Sequence, residues 1–256
     1  MHWRDEAIVL GTRRHGESSL VLEVLTRERG RCLGLVRAGR SPRNAAKLQP
    51  GNELDVTWRA RLDEHLGNFH AEPLQVRASG LMETALGLNA VQTLSAHVRL
   101  LPERDPHPDL YEAMSAALDT VLAHAAKTDD AFYTRLAAAH LVRFELAVLD
   151  ALGFGLDLTA CALTGATEDL VFVSPRTGRA ACRAAGLPWG PRLLSLPGFI
   201  LDEHQIPTLS SDDLKAGCRL TSHFLNLHVW GPRGIIAPMT RDVLITEILK
   251  TFSTHT

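Results

Sequence analysis

Residues 27–51, RERGRCLGLVRAGRSPRNAAKLQPG, carry Arg27, Arg29, Arg31, Arg37, Arg40, Arg43 and Lys47 against a single acid, Glu28. The first half alternates as a strand does, and the second half breaks at Gly39, Ser41, Pro42 and Asn44 into a flexible loop. A basic strand running into a basic loop suits a phosphate backbone. It equally suits a solvated sheet edge, where Arg and Lys block edge-to-edge pairing. The surrounding chain has to separate the two.

On either side the pattern stays that of strands. Ala7 to Leu10 is a short apolar run, and Leu20, Leu22 and Val24 to Leu25 follow the turn-like HGESS. Cys32 to Val36 comes next, and Leu54, Val56 and Trp58 alternate with Asp55 and Thr57. Leu66, Phe69 and Pro73 to Val76 close the set. About five short strands with glycine-containing turns in so short a span predict a small closed or nearly closed barrel.

After Ser79 and Gly80 the period changes to three and four. Leu81 to Leu101 reads as a helix stopped by Pro102, and Leu110 to Ala125 as a second. A third, capped by Asp129 and Asp130, is apolar on two sides, with Phe132, Leu136, Ala139, Val142, Leu146 and Leu149 as one stripe and Leu141, Phe144, Val148 and Leu152 as another. Such a helix belongs inside a bundle. Leu156 to Pro197 is irregular and reads as a hairpin-like insert around Leu170 to Val173. Leu209 to Trp230 and Arg241 to Phe252 return to helix. The expected organisation is a β + α chain: a barrel over residues 1–79, then a helical domain over 80–256 with an insert at 155–197.

Charge follows the same division. The 256 residues carry a net charge of −2, yet residues 1–50 hold ten Lys/Arg and five Asp/Glu, and residues 81–256 hold 14 and 19. A basic working end on a mildly acidic body is the simplest reading. No apolar run reaches the ~18 residues of a membrane span, and MHWRDEAIVLG has no signal-peptide layout. Four cysteines, Cys32, Cys161, Cys182 and Cys218, are too sparse for a disulfide scaffold, so a reducing cytoplasm is expected.

Catalytic constellations are missing. Walker, G-x-G-x-x-G, G-x-S-x-G and H-E-x-x-H motifs are all absent. His65 with His70, and His223 with His228, lie five apart rather than four. Cys161 and Cys182 lack the close partners of a zinc ribbon, since Thr164 and Ala185 stand at the partner positions. No catalytic residue, metal or cofactor is expected. A binding role fits better. Arg13 and Arg14 join Arg27, Arg29, Arg31, Arg37, Arg40, Arg43 and Lys47 as the candidate DNA-contacting set. With only Trp3, Trp58 and Phe69 as barrel aromatics, and Trp58 read as core, backbone contact should dominate over base stacking.

DEAIVLGTRRHGESSLVLEVLTRERGR, VRAGRSPR, LQPGNELDVTWRARLDEHLGNFHAEP and FELAVLDALGFGLDL, with CALTGATEDLVFVSPRTGRAAC behind it, together resemble the bacterial RecO family of recombination mediators. The resemblance covers nearly the whole chain without one diagnostic motif. It implies an N-terminal OB-fold and a C-terminal helical domain whose zinc-ribbon-like insert has lost ligands, Cys161 and Cys182 matching the first and third of four. It further implies binding of single- and double-stranded DNA, strand annealing, work with RecR in loading RecA, and docking of the C-terminal tail of single-strand-binding protein on the helical domain, in the cytoplasm near the nucleoid. Arg135 and Arg143 are candidates for that tail, because a chain ending in a carboxylate needs a cation beside an apolar pocket. The competing reading is an adaptor that holds protein partners and binds little DNA.

Overall fold

The computed structural model describes residues 1–125 and 130–254. They group into two compact units, Met1–Thr128 with Thr240–Leu244, and Asp129–Met239 with Ile245–Thr256.

In the first unit, β1 (His2–His15), β2 (Ser19–Thr26), β3 (Gly30–Val36), β4 (Glu53–Arg59) and β5 (Asn68–Gln75) close into a barrel in the order β1-β2-β3-β5-β4. β1 runs well beyond the apolar Ala7 to Leu10. Its first half pairs with β4, from His2↔Arg59 to Ile8↔Glu53, and its second half pairs with β2, from Ala7↔Thr26 to His15↔Ser19. A register shift between Val9 and Gly11 bends the strand, which lets one strand serve two neighbours. Closure needs β3 and β5, which meet in parallel at Leu35↔Asn68.

The alternation of β4 does what its pattern predicts. Leu54, Val56 and Trp58 are buried while Glu53, Asp55 and Thr57 stay half-exposed. Val9, Leu22, Val24, Leu54, Val56 and Phe69 fill the interior, each aliphatic or aromatic side chain contributing about 1.5–3 kcal/mol of burial. A charge in place of Val56, which is 0% exposed, would therefore empty the centre of the barrel. Gly30 makes the β2–β3 turn with φ +68, and a Cβ there would run into the Asp105 carbonyl.

The loop expected after β3 contains a helix, α1 (Pro42–Lys47). Ser41 caps it, its hydroxyl accepting from the Asn44 amide at 3.4 Å, and Pro42 occupies the first turn, where no amide donor is needed. The expected first long helix is divided into α2 (Ala78–Leu81) and α3 (Ala85–Val98), because Thr84 caps α3 by accepting from the Gly87 amide at 3.0 Å. α4 spans Pro108–Ala125.

The second unit is built on α5 (Asp130–Ala151), which buries residues on more than one side, among them Ala138, Leu141, Val142, Phe144 and Val148. Of the cap expected at Asp129 and Asp130, Asp129 lies outside the described residues and Asp130 is the first residue of the helix. A three-stranded sheet of order β7-β6-β8, made of β6 (Leu170–Val173), β7 (Ala180–Cys182) and β8 (Leu194–Ser195), replaces the simple hairpin. The short helices α6 (Arg183–Gly186) and α7 (Gly198–Leu201) flank β8. α8 (Ser211–Leu225) starts with a capping box, Ser210 and Asp213 exchanging side-chain-to-backbone bonds of 3.2 and 2.9 Å. It packs on α5 where Gly217 faces Val142. A π-helical turn, Asn226–Trp230, leads to α9 (Gly231–Arg233) and α10 (Met239–Thr254). No helix among the described residues is long and apolar enough to cross a membrane.

Candidate nucleic-acid interface

The strand register sorts the predicted cations into groups. Arg13 and Arg14 pair with Val21 and Leu20, and Leu20 pairs in turn with Val36, so Arg37 follows directly beside them. The Arg40 amide donates to the Ser18 carbonyl at 3.2 Å, and its guanidinium donates to the Glu17 carbonyl. These bonds tie the β3–α1 corner to the β1–β2 turn. Arg13, Arg14, Arg37, Arg40 and Arg43 thereby gather at one end of the barrel, all exposed, and none forms an ion pair among the described residues. Carbonyl acceptors leave the charge of Arg40 uncompensated.

An open groove runs from this corner to β5, lined by Arg37, Arg43, Asn44, Asn68, His70 and Glu72. Lys47 forms part of its wall, but its ammonium donates to the Ala71 carbonyl at 2.5 Å and lies 3.6 Å from Glu72. It fastens α1 to β5. Asn68 and His70 are absent from the predicted DNA-contacting set because they reach the corner only through the β3–β5 closure, which no local pattern announces.

The other cations of the opening stretch are placed differently. Arg27 pairs with Glu6 at 2.8 Å and with Glu112, and lies 4.8 Å over the Tyr111 ring. Arg31 pairs with Glu23 at 3.0 Å and donates to the Leu101 carbonyl at 3.2 Å, with only 15% of its side chain exposed. Both are absorbed into the packing of the first unit. Arg29 is exposed and lies 5.1 Å over the Trp3 ring, before β3 rather than after it.

In the second unit, Arg135 and Arg143 behave unlike each other. Arg143 is anchored, donating twice to the Phe199 carbonyl at 3.2 and 2.6 Å and pairing with Glu203. Arg135 donates to the Leu209 and Ala131 carbonyls, each at 3.2 Å, and its guanidinium lies 6.0 Å over the Phe252 ring. It borders a pocket shared with Thr134, Ser210 and Thr251.

The Thr164 hydroxyl lies 3.6 Å from the Cys182 sulfur. Hydrogen bonds from that hydroxyl, and then from backbone amides, pull the Cys161 thiol down to about 6. Two sulfurs, a hydroxyl and Ala185 do not make the four-ligand set of structural zinc. Among the described residues no group of three or more His, Cys, Asp or Glu is able to hold a metal ion. The residues present do not fit zinc; hydrogen bonds to Thr164 and the backbone stand where thiolate–metal bonds would.

A basic-cornered barrel joined in sequence to a helical unit with a small sheet defines a two-part β + α protein. Residues 1–77 match the family described as Recombination protein O N terminal, and residues 95–234 match Recombination protein O C terminal. The chain is 51% identical over 254 residues to the DNA repair protein RecO of Sinorhizobium medicae, covering 99% of this chain and 97% of that one. It is 52% identical over 251 residues to the DNA repair protein RecO of Agrobacterium fabrum, covering 98% and 94%. The chain belongs to the RecO family.

Proposed function

We propose that this chain is a non-catalytic DNA-binding mediator of recombinational repair. Its barrel, read as an OB-fold over residues 1–79, holds phosphates at the corner formed by Arg13, Arg14, Arg37, Arg40 and Arg43. One observation carries the reading: five exposed guanidiniums share one end of the barrel and none has a carboxylate partner among the described residues. Unpaired surface cations repel one another, and a polyanion neutralises them while the counterions it sheds add a favourable entropy.

Neutralising phosphates also lowers the barrier to bringing two strands together, so strand annealing without ATP follows from the same corner. In this account the helical domain, 80–256, serves partners, and its insert at 155–197 is a ribbon that has lost its ligands. Work with RecR in loading RecA on strands coated with single-strand-binding protein, in the cytoplasm at the nucleoid, is the role the family suggests. Arg135 is the better candidate for the carboxylate of that protein's tail, since its guanidinium borders a pocket beside Phe252. Arg143 is already engaged.

The adaptor reading draws on a different observation, the internal pairing of Arg27, Arg31 and Lys47. Annealing of complementary strands coated with single-strand-binding protein separates the two. Replacing Arg37, Arg40 and Arg43 by Ala should abolish annealing and leave tail-peptide binding intact. Full annealing by that variant would remove the corner from the DNA site, and no measurable DNA binding by the natural chain, with partner capture that survives nuclease treatment, would favour the adaptor.

A further inference from the structure

Away from the arginine corner, the first unit holds a second pocket, lined by Trp3, Glu28, Arg29, Cys32, Asp63 and Arg104 together with Trp58 and Pro106. Glu28 and Arg29 precede β3 and Arg37 follows it, so the strand's length sets the two places about 20 Å apart along the ladder.

The pocket is built from aromatic faces. The Trp3 and Trp58 rings stack with centroids 5.6 Å apart and 15° between planes, and Phe69 meets Trp3 edge-on at 5.8 Å. The Trp58 indole donates to the Leu66 carbonyl at 3.0 Å and is only 2% exposed, so it is a fixed floor. Gly67, at φ +67, lays the β4–β5 loop directly against that indole, where any Cβ would collide. Arg104 clamps the same loop, donating to the His65 carbonyl at 2.9 Å and to that of Asp63. Its guanidinium lies 5.5 Å over the Trp58 ring, as that of Arg29 lies 5.1 Å over Trp3.

The charges around this floor cancel. Arg29 and Arg104 are matched by Glu28 and Asp63, so the pocket is not an anion trap: a phosphate would meet two carboxylates as well as two guanidiniums. Burial pushes the Cys32 thiol up to about 11, which keeps the inner wall neutral. The fitting ligand is flat, aromatic and uncharged, with both donors and acceptors at its edge. A purely apolar group would desolvate the Glu28 and Asp63 carboxylates without offering them a donor.

We infer that this pocket receives one unstacked nucleobase of a single DNA strand, held against the Trp3 and Arg29 faces with its edge toward Glu28, Asp63 and Arg104. The inference rests on the DNA-binding reading above and deepens it. It makes the single strand the preferred substrate, because a duplex keeps its bases stacked and paired. It also gives the barrel's few aromatics a contact with bases that their scarcity in the sequence argued against.

The test uses the full chain and three labelled probes of equal length: a mixed-sequence single strand, the same strand with abasic sites throughout, and a duplex. Fluorescence anisotropy should show the base-bearing strand binding roughly 5- to 100-fold more tightly than the abasic one. Arg29→Ala and, separately, Trp3→Ala should shrink that ratio toward one, the base-bearing strand losing more affinity than the abasic one. Arg29 is exposed and makes no side-chain hydrogen bond among the described residues, so its variant is the one that keeps the fold. Equal binding of abasic and base-bearing strands by the natural chain would overturn the pocket but leave the phosphate corner standing. A ratio that survives both substitutions would place base contact elsewhere and also overturn it. Binding to none of the three probes would overturn the inference together with the DNA-binding reading.

Discussion

Asn52 is 0% exposed and ties the barrel to the helix that carries Arg43. Its carbonyl oxygen accepts from the Arg77 and Ala78 amides at 2.9 and 2.8 Å, and its amide donates to the Ala46 and Lys47 carbonyls at 3.2 and 3.1 Å. Asn52→Ala therefore strands two buried N–H groups at the start of α2 and frees two half-buried carbonyls at the end of α1. A stranded N–H costs about 1–3 kcal/mol, and carbonyls that regain water cost less, so the sum is about 4 kcal/mol. Hydrogen–deuterium exchange reads this locally, which matters for a chain of two compact units that need not unfold together. Amides of residues 42–59 should exchange nearly a thousandfold faster, an estimate converted from that energy, while those of α5 stay unchanged. Acceleration of less than about fivefold would mean that the four bonds are readily replaced, and would refute the reasoning. DNA affinity should fall as well, because α1 holds Arg43 at the corner.

Arg31→Ala should destabilise the barrel by about 1–2 kcal/mol, measured by urea unfolding, since its partly buried pair with Glu23 is lost, and should leave the salt dependence of DNA binding unchanged. The Asp55 carboxyl is held below the usual carboxylate range by its hydrogen bonds from Arg4, at 2.8 Å for the closest Nε contact, so its stabilisation is complete above the unfolded Asp value of about 3.9 and is lost as pH falls through the depressed folded value. Arg4→Ala should thus lower stability at pH 7 and flatten the acid limb below about pH 4, the two chains converging once Asp55 is protonated in both; a variant as stable as the natural chain at pH 7 with an unaltered acid limb would contradict the pairing. In the insert, Thr164→Cys with Ala185→Cys should convert a chain without stoichiometric zinc into one that binds it, measured by elemental analysis after dialysis. Zinc in the natural chain, or none in the variant, would refute the hydrogen-bonded account of that turn.

The features legible in the sequence were those set by local periodicity. Alternation in Leu54, Val56 and Trp58 announced β4, and steps of three and four announced α3 to α5. Local capping was legible too but easily passed over. Ser41-Pro42 carries the start of α1, and Thr84 divides one expected helix into two. Which cations are free was not legible, because neutralisation is decided by partners distant in sequence. Arg27 meets Glu112 from another element, and Arg31 meets Glu23 across the β2–β3 ladder. Arg13 and Arg14 gained weight for the same reason: the register of β1 on β2 sets them beside the β3–α1 corner. The aromatic pocket depended on barrel closure, which brings Trp3, Trp58 and Phe69 together from three strands.

The most direct test of the central claim is the salt dependence of single-strand binding. If Arg13, Arg14, Arg37, Arg40 and Arg43 each neutralise one phosphate, log K should fall against log salt with a slope of about −3.5, and Arg40→Ala with Arg43→Ala should reduce it to about −2.1. Between 50 and 200 mM salt the natural chain should then lose roughly 100-fold in affinity and the double variant roughly 20-fold. A slope left unchanged by the two substitutions would contradict the claim that this corner of the barrel holds the DNA backbone.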